Sequence, residues 1–120
     1  MFKVIIAGGR DFNDYELLKS KCDYYLSFVL SSGDSITIVS GHARGADTLG
    51  EQYAMEKGYP LDSHPADWDK YGKSAGYRRN QEMVDVAQAA ICFWDGKSKG
   101  TKHTIDLCKK KGIPCKVVSY

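Results

Sequence analysis

The sequence lacks a long apolar run, a CxxC cysteine pair, a large excess of either charge, and any low-complexity segment or internal repeat. The missing apolar run excludes a membrane-spanning helix, and the first residues, MFKVIIAGGRDF, lack the apolar core of a secretion signal. We therefore expect a cytoplasmic protein with no membrane partner. Because 120 residues is the size of one domain, we predict a single domain over 1–120.

The cysteines and histidines show no metal-ligand or disulfide pattern. Cys22 and Cys92 lie within predicted apolar faces, where reduced structural cysteines are common. The histidines, His42, His64 and His103, are far apart and lack ligand spacing. We predict no bound metal and no cofactor.

The charges of the chain are nearly balanced. Seventeen Lys and Arg residues oppose 15 Asp and Glu residues, which leaves a net charge of +2. A chain of this kind has no broad positive field to attract nucleic acid or an anionic membrane. We therefore do not expect nucleic acid as a partner, and any bound anion would have to be held by local groups.

Short apolar runs alternate with segments of helical period. Asn13 and Glu16 resemble a capping box at the start of a helix from about Asp14 to Ser31, and three further helices are predicted around Ala46–Ala54, Tyr77–Ala87 and Thr104–Lys111. This order predicts an α/β fold: a single Rossmann-like doubly wound domain with a mostly parallel five-stranded sheet flanked by helices. The predicted strands are Lys3–Ala7, Ser35–Val39, Leu61–His64, Ala90–Trp94 and Lys116–Ser119.

Three predicted strand-to-helix turns contain at least two glycines each: AGGRDF from Ala7, SGHARGAD from Ser40 and WDGKSKGT from Trp94. Doubly wound domains bind ligands outside the carboxyl ends of their strands, and the free N–H groups at helix starts can hold phosphate. SGHARGAD carries more charged side chains than a chain reversal needs, and we expect its helix to begin near Arg44 to Ala46. No turn matches the GxGxxG or Walker A pattern, so neither NAD binding nor P-loop phosphoryl transfer is supported.

In order and spacing, GGRDF, SGHARGAD, HPADW, GKSAGYRRNQEMV and FWDGKSKGT together resemble the YspA or YpsA-related branch of the SLOG superfamily. That superfamily is named for the DNA-processing protein DprA and the Lonely Guy enzymes. The resemblance covers essentially the whole chain, and SGHARGAD is similar to the SGxARGxD stretch of DprA. It implies a Rossmann-like fold that binds nucleotides, nucleotide-derived messengers or, in DprA, single-stranded DNA. It is also compatible with a homodimer.

The resemblance to Lonely Guy phosphoribohydrolases is incomplete. Those enzymes carry an RKxxM stretch and a PGGxGTxxE loop, whose arginine and last glutamate serve cleavage of an N-glycosidic bond. Here the first stretch falls on Arg79, Asn80 and Met83, while Thr104 replaces the glutamate. Because such a cleavage needs a carboxylate, Asp11, Asp47 or Glu82 would have to supply it. Together with the matching arginine, the main catalytic candidates are Arg79, Glu82 and Asp47. Glu82 could instead form an ion pair with Arg79 on one helix face, which is the alternative we favour.

The residues expected to bind a ligand come from the three turns, the RRN stretch and the segment HPADWDKYGKSAG, which shows no secondary-structure pattern. Arg44 is placed for a bidentate phosphate contact, and Asp47 either complements a helix dipole or binds a ribose hydroxyl. Trp68 is either a core residue or a surface on which a base stacks, and His42 is expected to make a local hydrogen bond. The set is Gly8, Gly9, Arg10, Ser40, Gly41, His42, Arg44, Gly45, Asp47, Trp68, Lys73, Arg79, Asn80, Ser98, Gly100 and Thr101.

The sequence thus predicts a sensor or sequestering protein for a nucleotide or a nucleotide-derived ligand of phosphoribosyl or ADP-ribose type. One alternative is a nucleotide N-glycosidic hydrolase or transferase of Lonely Guy type, which would release a product where a sensor returns its ligand intact. The second alternative is a DprA-like binder of single-stranded DNA, which the near-neutral charge does not favour.

Overall fold

The computed structural model describes all 120 residues and shows strands and helices in alternation. A 3₁₀ turn over Gly72–Ser74 joins the third and fourth helices. Every predicted strand is present, with each boundary within one residue of its predicted place. The strands are β1 (Phe2–Gly8), β2 (Ile36–Ser40), β3 (Leu61–Ser63), β4 (Ala89–Trp94) and β5 (Cys115–Ser119), and the helices are α1 (Tyr15–Ser31), α2 (Ala46–Lys57), α3 (Trp68–Tyr71), α4 (Ala75–Val86) and α5 (Lys99–Lys111).

The five strands form one sheet in the order β3-β2-β1-β4-β5, and all neighbouring strands are parallel. Ile5 of the central strand pairs with Val39 on one side and with Ala90 on the other. The chain moves outward from β1 to β3 and then returns to the other side of β1 for β4. This reversal between β1 and β4 is the point at which doubly wound sheets open a ligand crevice. The predicted Rossmann-like fold is confirmed.

Helices cover both faces of the sheet, which explains the unbroken apolar run Val4–Ala7 in β1. Val4 and Ile6 pack in a cluster with α1 and α2, whereas Ile5 and Ala7 pack in a second cluster with α4 and α5. Successive side chains of a strand point to opposite faces, so a strand covered on both faces needs apolar residues at every position. Burying each large apolar side chain contributes about 1.5–3 kcal/mol.

The structure corrects two local predictions. The N-cap of α1 is Asp14, whose Oδ1 accepts a hydrogen bond from the Leu17 N–H at 3.0 Å, so the capping box of Asn13 and Glu16 is wrong. Asp and Asn cap helices equally well, and the sequence holds them side by side. The segment predicted to lack secondary structure contains α3, which is capped in the same way by Asp67. A four-residue helix is too short to show a helical period.

None of the helices combines the length and the apolar character that a membrane crossing requires. The four cysteines are free thiols, three of them buried, and the Sγ atoms of Cys92 and Cys115 lie 3.8 Å apart.

Candidate ligand-binding site

A cavity of about 420 Å³, called here the crevice, opens at the carboxyl ends of β1 and β4. All three glycine-containing turns reach it, as the topology requires, because the ends of adjacent parallel strands meet at one edge of the sheet. The turn after β1 contributes Gly8 to Asp11, the turn after β2 contributes Ala43 and Asp47, the turn after β4 contributes Asp95, Ser98, Gly100 and Thr101, and α4 contributes Arg79 and Asn80.

A second cavity of about 360 Å³, called here the side lobe, adjoins the crevice. It lies between the turn after β2 and the start of α3. Arg10, Ala43 and Arg79 line both cavities, so the two cavities are adjacent and share these residues as a common boundary. The other residues of the side lobe are Gly41, His42, Arg44, Pro65, Ala66 and Trp68.

The first two turns are held together by their backbones. The Gly9 carbonyl oxygen accepts hydrogen bonds from the N–H groups of Phe12 and Ala46, both at 3.2 Å. Gly45 has a φ of 79°, and a Cβ atom at this position would collide with the Gly9 carbonyl oxygen. Glycine is therefore required by conformation and by space at once. As predicted, α2 begins immediately afterwards, at Ala46.

Arg79 joins α4 to the turn after β2. Its Nη1 donates a hydrogen bond to the Gly41 carbonyl oxygen, and its Nε donates to the Asn80 Oδ1 at 2.9 Å. Burial lowers the pKa of Arg79, the Arg10 guanidinium acts in the same direction, and Asp47 opposes both. Arg79 is thus a half-buried cation that lies close to a second cation.

Asp47 is the buried acid of the crevice, with only 5% of its surface exposed. Burial raises the pKa of Asp47 to about 6, although the Ala43 N–H and the Arg79 guanidinium both favour the charged form. The Ala43 N–H donates to Asp47 Oδ2 at 3.3 Å. A carboxyl group in this position can accept a hydrogen bond from a ligand hydroxyl.

Three guanidinium groups reach the side lobe, from Arg10, Arg44 and Arg79. Arg10 and Arg44 are exposed, and none of the three forms a salt bridge with a carboxylate. Guanidinium groups recognise phosphate and carboxylate through paired hydrogen bonds. The side lobe is therefore suited to an anion.

The turn after β4 is ordered by its own side chains. Asp95 Oδ1 accepts hydrogen bonds from the N–H groups of Lys97 and Ser98 at 2.8 Å, and these bonds hold the pKa of Asp95 below its usual range. Ser98 caps α5, with its Oγ accepting from the Thr101 N–H at 3.4 Å. Thr104 also lines the crevice, and its hydroxyl donates to the Gly100 carbonyl oxygen.

Most of the predicted ligand-binding residues line the crevice or the side lobe, but three do not. Ser40 is fully buried beneath the site, Gly45 packs against the first turn, and Lys73 is exposed in the 3₁₀ turn. Trp68 lines the side lobe with 51% of its surface exposed, which rules out the core alternative. Those that line the cavities are Gly8, Gly9, Arg10, Gly41, His42, Arg44, Asp47, Trp68, Arg79, Asn80, Ser98, Gly100 and Thr101.

Among the catalytic candidates, Glu82 lies outside both cavities. Its side chain is 61% exposed, and its carboxylate lies 3.5 Å from His64 Nδ1. It forms no salt bridge with Arg79. Arg79 and Asp47, by contrast, both line the crevice.

Glu51 of α2 was not among the predicted site residues. It accepts hydrogen bonds from Ser40 Oγ at 2.8 Å and from His42 Nδ1 at 3.0 Å. His42 is the one non-glycine residue with a positive φ, 59°, and its N–H donates to Ser40 Oγ. Glu51 follows Asp47 by one helical turn, which places both on one face of α2. That spacing was the available signal for its role in holding the turn.

Asp11, one of the carboxylates considered from the sequence, lines the crevice, but its contact with Tyr120 was not predicted. Its Oδ1 accepts a hydrogen bond from the Tyr120 hydroxyl at 2.6 Å, so two residues from opposite ends of the chain meet at the crevice.

No group of three or more His, Cys, Asp and Glu side chains is arranged to hold a metal ion.

A central parallel strand, helices on both faces and a polar crevice at the strand reversal define a Rossmann-like α/β domain. More particularly, the chain belongs to the YspA, cpYpsA-related SLOG family, whose family model matches residues 2–71. The Gene 61 protein of Mycobacterium phage D29 is 34% identical to this chain over an alignment of 120 residues. The alignment covers 95% of this chain and 94% of that protein.

Two solved structures of DNA processing protein A, DprA, share the fold. The protein from Streptococcus pneumoniae aligns with a TM-score of 0.71 and 18% identity over 98% of this chain and 50% of its own. The protein from Helicobacter pylori aligns with a TM-score of 0.66 and 22% identity over 97% of this chain and 64% of its own. This chain therefore spans about half to two thirds of the DprA chains that it matches.

The Helicobacter pylori structure is described as showing a single-stranded DNA binding mode. The expectation that nucleic acid is not a partner, which rested on the net charge of +2, is corrected by this finding. Net charge sums the whole surface, whereas binding depends on where the charges lie. Here three arginines line the side lobe, whose lining contains no acid, although Asp11, Asp47 and Asp95 line the adjoining crevice.

Proposed function

We propose that the protein binds the phosphate group of a nucleotide at the carboxyl edge of its sheet and acts as a sensor or a sequestering protein. The observation that carries this proposal is the convergence of Arg10, Arg44 and Arg79 on one lobe without a salt-bridge partner. Like charges held close together repel, and a bound phosphate between them would offset that repulsion. The nearby glycine turns allow a ligand to approach the backbone.

The acids of the crevice are compatible with a phosphorylated ligand. Asp95 is occupied by two backbone N–H groups, and Asp11 accepts from Tyr120. Asp47, with a pKa of about 6, is the acid with the largest influence on the charge of Arg79 and is suited to a ribose hydroxyl. These hydrogen bonds do not remove the negative charges, so we place the phosphate beside the arginines of the side lobe and leave the crevice acids to hydroxyl groups.

Cleavage of an N-glycosidic bond has less support. Thr104 offers a hydroxyl where the Lonely Guy loop offers a glutamate, and Glu82 faces His64 outside the crevice. We expect the purified protein to return nucleoside monophosphates intact, because loss of a positioned acid or base typically costs about 10²- to 10⁴-fold in rate. Rapid release of free base, abolished in Asp47→Asn, would establish the enzyme instead.

Single-stranded DNA is a second candidate ligand, favoured by the fold shared with the Helicobacter pylori protein and by Trp68, which is exposed beside the arginines. Proteins that bind single strands combine a positive groove with aromatic rings on which bases stack. If three phosphates are contacted, the logarithm of the association constant should fall with the logarithm of salt concentration with a slope of about −2.

Calorimetric titrations with ADP and with a ten-nucleotide poly-dT strand test the proposal. We expect Arg10→Ala to lower the affinity for the ligand by about 10- to 150-fold, since a hydrogen bond to a charged group contributes about 1.5–3 kcal/mol. Arg78→Ala is the matched control: it removes the same charge from a guanidinium that stacks over Tyr71 and lines neither cavity. Equal effects of the two substitutions would contradict the proposal.

A further inference from the structure

Three of the four cysteines meet on one face of the sheet. Cys92 of β4, Cys108 of α5 and Cys115 of β5 belong to the apolar cluster beneath α4 and α5. The Sγ atoms of Cys92 and Cys115 lie 3.8 Å apart, and the Cys115 thiol is also hydrogen-bonded to that of Cys108. None of the three lines the crevice or the side lobe. Ligand binding at those cavities therefore gives this thiol cluster no role.

The register of the edge strand explains how two of the thiols come together. Cys115 of β5 pairs with Ala90 of β4, and Cys92 follows Ala90 by two residues. Residues two apart on a strand share a face of the sheet, so the side chains of Cys92 and Cys115 lie on the same face. Cys108 reaches them from the buried face of α5. The cluster is thus a product of the fold and not of a local motif.

The three thiols differ in exposure and in charge. Cys92 and Cys108 are fully buried, whereas Cys115 is partly exposed. Hydrogen bonds with Cys108 and then Cys92 stabilise the thiolate of Cys115 and lower its pKa, against the effect of burial. The contact with Cys115, followed by burial, raises the pKa of both partners. Because the thiolate is the nucleophilic form of cysteine, Cys115 is the reactive member of the cluster.

An exposed reactive thiol beside a second thiol is the arrangement on which reversible cysteine oxidation depends. The sulfur atoms of a disulfide are about 2 Å apart, so those of Cys92 and Cys115 would have to approach each other by roughly 2 Å. The strand β5 is at the edge of the sheet and pairs with β4 alone. Its free side allows the small adjustment that a bond requires.

We propose that Cys115 is a modification site at which a hydroperoxide converts the thiol cluster into a reversible intramolecular disulfide. The Cys115 sulfur attacks one peroxide oxygen, the O–O bond breaks, and a sulfenic acid forms while the second oxygen leaves as hydroxide or alkoxide and takes up a proton. The sulfur of one of the two buried neighbours then attacks the sulfenic sulfur. The S–O bond breaks, and water leaves with the proton of the attacking thiol. Two thiols thus supply the two electrons that reduce the peroxide.

Treatment of the fully reduced protein with hydrogen peroxide, followed by intact mass measurement and peptide mapping, tests the proposal. The wild-type protein should lose two hydrogen atoms, the map should join Cys115 to Cys92 or Cys108, and dithiothreitol should reverse the change. Cys115→Ser should abolish the disulfide and slow thiol oxidation by about tenfold or more, because only buried thiols remain. Cys22→Ser is the matched control and should leave the disulfide unchanged, since Cys22 is buried in the cluster on the opposite face of the sheet.

Alkylation of the reduced wild-type protein needs no substitution and therefore does not depend on the folding of a variant. A limiting amount of iodoacetamide at neutral pH should label Cys115 before the other three thiols. Preferential labelling of another cysteine would overturn the proposal. So would resistance of the wild-type protein to peroxide, oxidation that stops at sulfinic acid without a disulfide, a disulfide between two protein copies, or an undiminished disulfide in Cys115→Ser.

Discussion

Asp47 and Arg79 illustrate, at the scale of single residues, how burial and charge act against each other in this site. Burial disfavours the charged form of both side chains, and each partly restores the charge of the other. Removing either partner would leave a buried charge without compensation, which is costly. Because Arg79 bonds the Gly41 carbonyl oxygen and Asp47 accepts from the Ala43 N–H, a change in the charge of either side chain should also affect the conformation of the turn after β2.

Asp47→Asn should change how stability depends on pH. The pKa of Asp47 is about 6 in the folded protein against an ordinary value of 3.8, so the folded state favours the protonated form. The corresponding stabilisation is complete below pH 4 and is lost as the pH rises through 6. Two pKa units correspond to about 3 kcal/mol.

Chemical unfolding at a series of pH values measures the effect. The unfolding free energy of Asp47→Asn minus that of the wild type should rise by up to about 3 kcal/mol between pH 4 and pH 8, because Asn cannot ionise. The loss of the Arg79 partner adds a cost that shifts this difference but does not follow the titration of Asp47. The comparison of the two proteins removes the contributions of other acids. Parallel stability curves for the two proteins would show that Asp47 titrates normally.

Glu51→Ala should destabilise the protein by about 1–3 kcal/mol, the typical cost of leaving a buried polar group without its partner. The substitution removes the acceptor of the fully buried Ser40 hydroxyl and releases the His42 ring. Gln52→Ala is the control, since Gln52 is the exposed neighbour on α2. Urea unfolding of both variants decides the matter, and equal midpoints would contradict a structural role for Glu51.

At the scale of elements, the interlocked turns after β1 and β2 determine where α2 begins. Gly45→Ala should lower the free energy of unfolding, measured by urea unfolding, by about 2–6 kcal/mol. This is the sum of roughly 1–3 kcal/mol for the backbone conformation and roughly 1–3 kcal/mol for the collision with the Gly9 carbonyl oxygen. Gly58→Ala, at the C-cap of α2, keeps the positive φ of 73° but has open space around the new atom, so it should cost only about 1–2 kcal/mol. Similar losses for both variants would show that the contact between the turns contributes nothing.

The strands and long helices could be predicted because their apolar periods are set by the two faces of the sheet. Leu18, Cys22 and Leu26 repeat at helical spacing since all three face one core cluster. The N-cap of α1 could not be predicted, because Asn13 and Asp14 are equivalent in chemistry and only the backbone decides between them. The helix α3 was missed because one turn has no period.

At the scale of the whole molecule, the position of the site followed from the fold rule, whereas its internal contacts did not. Adjacent β1 and β4 bring the glycine turns together wherever this strand order occurs. The contact of Asp11 with Tyr120 depends on side-chain positions that no local pattern contains. The spacing of Asp47 and Glu51 places Glu51 on the face of α2 nearest the site but does not identify His42 as its partner. The net charge misled for a related reason, since it contains no information on the clustering of Arg10, Arg44 and Arg79.

The central claim, that a nucleotide binds at the carboxyl edge of the sheet, is tested most directly by ¹⁵N-resolved chemical shift mapping during a titration with ADP. The account predicts simultaneous shifts in Gly8–Asp11, Gly41–Asp47 and Asp95–Thr101, together with the indole N–H of Trp68. The apolar groove lined by Phe2, Tyr25 and Phe28 should remain unchanged. Shifts confined to that groove, or no shift at saturating ADP and oligonucleotide, would contradict the account.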